Sequence, residues 1–284
     1  MPTLPRRSRD SHKGDLGRLL VVAGSLRMPG AAFLCGEAAM RAGAGLVTIA
    51  SPEPVIPVLG AKVVVETLAP LPANAEGTVA GWAARRALEL AAAFEAVALG
   101  PGLTTDGDTP RFVRDFVAKL ERPLVLDADG LNAHAGSVER LAARRAPTVL
   151  TPHPGEAARL LGHSTAEIQA DRRAAAVEIA RRARAIVVLK GAGTIVTDGR
   201  RTSVNRTGNP GMATGGAGDV LTGILGAFLA RGLEPIDAAV LAAHVHGRAG
   251  DLAAEAHGED GMIATDLLAM LGAAVRERVR GRAR

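Results

Sequence analysis

Residues 207–223, TGNPGMATGGAGDVLTG, place Gly208, Gly211, Gly215, Gly216 and Gly218 directly before or at the start of an apolar segment of helical period, with Asp219 inside its first turn. A glycine-rich loop lets successive backbone N–H groups converge, and the helix N-terminus behind it adds partial positive charge, so the two together form an anion hole suited to phosphate. A carboxylate at such a helix start is stabilised as the anion, yet it repels a phosphate. The chemistry that reconciles these is proton acceptance from a hydroxyl that attacks a phosphorus held by the same loop. The plainer alternative is a glycine-rich turn in which Asp219 only starts a helix.

Three further segments bring polar or glycine residues directly behind an apolar run: GPGL at 100–103, LDADGLN at 126–132 and TPHPGE at 151–156. Each alone reads as a tight turn with a helix cap. As the ends of strands in an open α/β sheet, all three fall on the edge where such sheets bind ligands. LKGAGT at 189–194 adds a lysine and two glycines at another strand end, although an isolated Lys190 more often snorkels along the surface to water. Other phosphate devices are excluded. The dipeptide Gly-Lys never occurs, so there is no GxxxxGK[ST] loop, and GSLRMPG at 24–30 is not G-x-G-x-x-G. A metal site made of protein ligands is not expected: His244 and His246 stand two apart in a helical segment and point about 200° away from each other. The divalent ion that would suit this chemistry is Mg2+, held by nucleotide phosphates and one carboxylate at most.

The elements that must carry these residues show in the apolar periodicity. Apolar runs at 19–24, 46–51, 96–100, 123–130, 148–152 and 186–191 alternate with segments of helical period at 31–43, 78–94, 108–120, 154–161 and 165–184. Continuous apolar strands between helices are the pattern of a mostly parallel sheet covered on both faces. The helix at 165–184 opens on Ser164 or Thr165, with Glu167 in its first turn. Beyond 190, TIVTD and TSVN around Gly199-Arg200-Arg201 predict an antiparallel edge hairpin, and three helices follow at 217–231, 235–256 and 265–280, the last capped by Thr265. There is no Pro/Ser-rich linker and no internal repeat, so one α/β domain is expected over 1–284.

At 284 residues with 48% hydrophobic and 22% charged side chains, the chain has the composition of a globular protein with a sizeable core. The net charge of +5 sits at the ends. Arg6, Arg7, Arg9 and Lys13 lie near the start, and Arg276, Arg278, Arg280, Arg282 and Arg284 near the finish. These basic tails, at about 1–11 and 276–284, read as solvated, mobile segments around a weakly acidic body. With five Phe, one Trp and no Tyr, stacking platforms are scarce, and nucleic acid is not expected as a partner. Cys35, the one cysteine, lies in the helical stretch AAFLCGEAAM and reads as a buried thiol, which fits a reducing compartment. No signal-type h-region and no membrane span are seen, so a soluble cytoplasmic protein is expected.

Taken together, HKGDLGRLLVVAGS at 12–25, GAAFLCGEAAMRAGAGLV at 30–47, GPGL, LDADGLN, TPHPGE, LKGAGT and NRTGNPGMATGGAGDVLTG at 205–223 closely resemble the ADP/ATP-dependent NAD(P)H-hydrate dehydratases of the ribokinase-like superfamily. The resemblance covers residues from about 12 to 270 in order and spacing. It implies a ribokinase-like fold and a carbon–oxygen lyase that repairs the S epimer of hydrated NADH or NADPH (NADHX, NADPHX). The reaction consumes ADP in the bacterial type or ATP in the eukaryotic type, with Mg2+, and ADP is expected here. Nucleotide contacts are implied for Lys190, Gly191, Ala192, Gly193, Thr194 and Gly218. Hydrate contacts are implied for Ala31, Gly102, His153 and Asp219, with Asp219 the catalytic base and Asn132 and Asn209 in support. It also implies a homo-oligomer of tetrameric type and an epimerase on a separate chain, since 284 residues leave no room for one beside this domain. The last helix lacks a proline expected near Leu271-Gly272, and the arginine-rich end matches nothing in the family. Two other readings stand beside this one: an ATP-dependent small-alcohol kinase related to hydroxyethylthiazole kinase, and a non-catalytic nucleotide-binding regulator.

Overall fold

The computed structural model describes residues 1–279. Nine strands form one sheet: β1 (Arg18–Val22), β2 (Leu46–Pro52), β3 (Thr67–Leu71), β4 (Ala96–Leu99), β5 (Leu124–Leu126), β6 (Thr148–Leu150), β7 (Ile186–Leu189), β8 (Ile195–Thr197) and β9 (Thr202–Val204). Their order is β3-β2-β1-β4-β5-β6-β7-β8-β9. The strands from β3 to β7 are parallel, and β8 and β9 turn back as the antiparallel hairpin that the sequence predicts.

The pleat divides the core. Leu19 and Val21 of β1 point to one layer, Leu20 and Val22 to the other. The first layer packs α1 (Pro29–Arg41), α2 (Ile56–Gly60), α9 (Ala217–Ala230), α10 (Pro235–His257) and α11 (Ala264–Arg276) on the sheet. The second packs α3 (Ala84–Ala91), α4 (Thr109–Lys119), α5 (Ala128–Asn132), α6 (Pro154–Leu161), α7 (Thr165–Ala170) and α8 (Arg172–Ala183). Small residues set the closeness of the first layer: a Cβ on Gly223 of α9 would lie 2.1 Å from the Cys35 carbonyl oxygen on α1. Cys35 is buried, as its helical setting predicts.

Several expectations change. The helix expected over 165–184 is two helices, because Asp171 leaves helical geometry and caps α8 by accepting from the Ala174 N–H at 2.8 Å. Ser164 caps α7, with Glu167 closing the box. The last helix starts at Ala264, one residue ahead of where the sequence places it, so Ile263 rather than Thr265 stands at the N-cap position, where the Asp266 carboxylate accepts its N–H at 2.8 Å. It ends at Arg276, and the rest of the arginine-rich end, 280–284, lies outside the described residues. β3 escaped the sequence reading, since Pro70 breaks its apolar run; proline is tolerated there because β3 is an edge strand. The N-terminal tail is not free. Leu4 is fully buried in the first layer, and its N–H donates to the Arg278 carbonyl at 2.8 Å.

The HKGDLG stretch lies at the start of β1, at the opposite edge of the sheet from the loops that follow the parallel strands. His12 Nδ1 accepts the Gly14 N–H and Asp15 accepts the His12 N–H, closing a tight turn. Gly45 must lack a side chain because its Cβ would fall 1.8 Å from the Lys13 carbonyl oxygen. This motif therefore builds the base of the sheet. Among the described residues no helix is long and apolar enough to cross a membrane.

Candidate functional site

Chain order reverses between β1 and β4, which are neighbours in the sheet, so the loops after them diverge and open a crevice at the carboxyl edge. Ala31, in the first turn of α1, and Gly102, in the loop after β4, face each other there. Gly102 has φ +65°, and a Cβ on it would lie 2.9 Å from both the Ala31 Cβ and the Met28 carbonyl oxygen. The loops after β5, β6 and β7 end on the same edge and supply Asp127, His153 with Glu156, and Lys190.

Lys190 is the hub. Its Nζ lies 2.7 Å from Asp127 Oδ1 and 3.6 Å from Glu156 Oε2, so it is an ion-paired, largely buried group, not the snorkelling lysine that its type alone suggests. Burial opposes its charge, and Asp127 and Glu156 overcome that, holding the ammonium above the ordinary lysine range. Asp127 is 1% exposed on its side chain and also accepts from Thr222 Oγ1 at 2.7 Å. Thr222 stands one turn along α9 from Asp219, so the same helix face carries both.

The glycine loop delivers α9 to this hub. Gly216 takes φ +91° at the N-cap, and a Cβ on Gly218 would lie 3.4 Å from Lys190 Nζ. Asp219 follows in the first turn. Burial pushes its carboxyl up from 3.8 to about 7; Asp127 adds to this, Lys190 pulls against it, and Asp129 and Glu156 push further. Burial also raises Glu156, against the pull of Lys190. His246 on α10 steadies the start of α9. Its Nε2 lies 2.8 Å from the Ala217 carbonyl oxygen, and burial lowers its pKa to about 4, so the ring is neutral and donates. His244 instead meets Arg278, whose Nε donates to His244 Nε2 at 2.8 Å. Among the described residues no group of three or more His, Cys, Asp or Glu is placed to hold a metal ion.

His153 caps α6: its Nδ1 accepts the N–H groups of Gly155 at 3.0 Å and Glu156 at 3.3 Å, and Glu156 Oε2 returns the contact to the His153 N–H at 2.8 Å. Burial, then Lys190 and Arg159, lower its pKa, and its Nε2 lies 3.4 Å from Glu156 Oε1. The Gly191, Ala192, Gly193 and Thr194 loop turns at φ +133° and +64° on its two glycines, and Thr194 Oγ1 donates to the Gly191 carbonyl at 3.0 Å. Arg172 of α8 clamps it from behind, donating to the carbonyls of Ala192, Leu189 and Lys190 at 2.6, 3.2 and 3.0 Å. Asn132 donates to Asp129 at 3.1 Å, and Asp129 accepts the Thr104 N–H at 2.8 Å. Asn209 holds the glycine loop, accepting the Gly211 N–H at 3.0 Å and donating to Asp251 on α10 at 3.3 Å.

The structure thus brings Lys190, Gly218 and Asp219 together, places His153 beside them through Glu156, and sets Ala31 with Gly102 at the crevice. Asp127 and Glu156 lie inside motifs that the sequence singles out, but their pairing with Lys190 is not legible there. Arg172 carries no local signal, while Thr222, inside the 207–223 motif, and His246 gain their roles only from the fold.

A model of the NAD(P)H-hydrate dehydratase family matches residues 19–272. The chain belongs to that family. It is 45% identical over 274 residues to the bifunctional NAD(P)H-hydrate repair enzyme Nnr of Thermofilum pendens, covering 96% of this chain and 52% of that protein. The chain spans about half the length of the curated relatives it matches. Among solved structures it is similar to the ADP/ATP-dependent NAD(P)H-hydrate dehydratase of Bacillus subtilis co-crystallized with ATP/Mg2+, at a TM-score of 0.82 and 33% identity, covering 97% of this chain and 94% of that one. A ribokinase-like superfamily protein of Enterococcus faecalis shares the fold at a TM-score of 0.82 and 23% identity, covering 98% and 93%. The fold is ribokinase-like.

Proposed function

We propose that this chain catalyses the nucleotide-dependent dehydration of the S epimers of NADHX and NADPHX, restoring NADH or NADPH and converting ADP to AMP and phosphate. The observation that carries this reading is Asp219, a carboxylate with a pKa near 7 at a glycine-loop helix start beside a paired lysine. A binding protein gains nothing from a carboxylate facing phosphate, whereas a base of that pKa is matched to neutral pH. Water added at C6 of the nicotinamide leaves a hydroxyl that departs poorly. Asp219 takes its proton as the oxygen attacks the terminal phosphorus of the nucleotide. The ring nitrogen then expels the phosphate, and loss of a C5 proton restores the dihydropyridine.

Lys190, the Gly191, Ala192, Gly193 and Thr194 loop and Gly218 hold the nucleotide phosphates, while Ala31, Gly102 and His153 shape the hydrate side. Mg2+ fits the donor set: Asp127, Glu156 and Asp219 act on one ammonium, Asp129 acts on Asp219, and all four offer hard oxygen atoms. Phosphate oxygens, with Asp129 or Glu156, would hold it. When bound, the ion neutralises phosphate charge and polarises the transferred phosphoryl group. The R epimers reach this site only after epimerisation. A cytoplasmic homo-oligomer of tetrameric type belongs to the same reading, and light scattering on the purified chain checks its size.

The test incubates the protein with purified S hydrate and ADP or ATP in turn, following dihydronicotinamide absorbance and free phosphate. Recovery of absorbance with phosphate release, faster with ADP, is expected. A stable phosphomonoester without recovered absorbance means a kinase, and no hydrate-dependent nucleotide turnover means a binding protein.

A further inference from the structure

The dehydratase reading, on which this inference rests, assigns Lys190 to the nucleotide and names no cation for the second phosphate-bearing reactant, the hydrated dinucleotide. Lys190, Glu156, His153 and Arg159 run in a chain across the site. Glu156 lies 3.6 Å from Lys190 on one side and 3.4 Å from His153 on the other. Arg159, exposed on α6, folds back toward the helix start, as helical side chains do, and its Nη1 lies 3.8 Å from where a Cβ on Gly155 would be. The same Cβ would lie 2.9 Å from His153 Cε1, so the bare backbone of Gly155 lets the His153 ring sit there with the Arg159 guanidinium beside it. Arg159 is held by one edge only: its Nε donates to Asn132 Oδ1 at 2.8 Å, and Asn132 is fixed in turn by Asp129 at 3.1 Å. None of the ion pairs among the described residues includes Arg159, and its two Nη groups make no hydrogen bond there. The N–H groups of Gly155 and Glu156 are occupied by His153, so the free donors at this rim are those of the guanidinium. A planar fork oriented by one contact with its outer donors free is suited to a phosphate group.

We propose that Arg159 binds a phosphate of the hydrated dinucleotide, with Asn132 orienting it. The phosphate is either the diphosphate shared by both substrates or the 2′-phosphate carried by NADPHX alone. Arg159 thereby gives the dinucleotide a cation separate from Lys190, on the His153 side of Glu156.

The experiment compares the wild type with Arg159→Gln and Arg159→Lys, checking that each melts like the wild type. Fluorescence titration with NADPH and with NADH reads dinucleotide binding without turnover, and steady-state rates give KM for each hydrate and for ADP. Arg159→Gln should raise Kd and the hydrate KM by about 10- to 100-fold, the range of a hydrogen bond between charged groups, with kcat changed by less than about three-fold and the KM for ADP unchanged. Arg159→Lys should recover part of the loss. Equal weakening of NADH and NADPH assigns the diphosphate; weakening of NADPH alone assigns the 2′-phosphate. Wild-type dinucleotide binding in Arg159→Gln overturns the proposal, as does a loss confined to ADP, a fall in melting temperature that accounts for the whole effect, or a wild-type protein that binds neither dinucleotide. Arg159-dependent binding of NADPH without hydrate turnover would refute the dehydratase reading and leave this one standing.

Discussion

Asp219→Asn separates a catalytic carboxylate from a structural one, because the two accounts give opposite signs for stability. Moving the carboxyl from 3.8 to about 7 means that the fold disfavours its ionised form. At about 1.4 kcal/mol per tenfold change in proton affinity, that is a ceiling of roughly 4 kcal/mol. Below pH 4 the native and unfolded states both hold the proton, and the full stability is present. Between pH 4 and 7 the unfolded chain ionises first, so stability falls, and above 7 the cost is constant. Asn keeps the shape and never ionises. Asp219→Asn should therefore melt close to wild type at pH 4 and higher at pH 8, by up to about 8 °C at some 2 °C per kcal/mol for a domain of this size. Turnover at saturating hydrate and ADP should drop by about 10²- to 10⁴-fold, the usual worth of a general base. The wild-type kcat/KM should rise with pH through about 7 as Asp219 ionises, and the mutant should lose that limb. Calorimetry at the two pH values, with rates on the same samples, checks both. A mutant less stable than wild type at pH 8 with near-normal turnover would mean that Asp219 only starts a helix.

Lys190→Met leaves Asp127 buried with Thr222 as its remaining side-chain partner, so chemical denaturation should show a loss of about 3 kcal/mol, and calorimetric titration should show weakened ADP binding. The same change removes the pull on Asp219, so any residual activity should have its acid limb above pH 7. Gly102→Ala forces a side chain into φ +65° against Ala31 and Met28; it should cost about 1–3 kcal/mol and raise the hydrate KM while leaving the KM for ADP unchanged. Deleting residues 1–9 removes the fully buried Leu4, so the melting temperature should fall, and Leu4→Ala alone should cost about 2–5 kcal/mol; activity at 25 °C should persist within a few-fold in both.

The sequence by itself determined the layers and the edge on which the site lies. Apolar runs such as LLVV and IVVL carry side chains to both faces of a sheet, and that requirement is local, readable from a few consecutive residues. The glycine loop before Asp219 was legible for the same reason, since converging N–H groups need adjacent glycines. Contacts between distant segments were not. Lys190 meets Asp127 across 63 residues and Thr222 meets Asp127 across 95, and both follow from β5, β6 and β7 lying side by side with α9 above them. Arg172 behind the lysine loop and Leu4 in the core are ordinary residues until the fold brings their partners to them. The pKa of Asp219 belongs to the same class: the helix dipole, visible in the sequence, favours the anion, while burial among three other carboxylates reverses that preference. That reversal needs neighbours and the exclusion of water, which only the tertiary structure supplies.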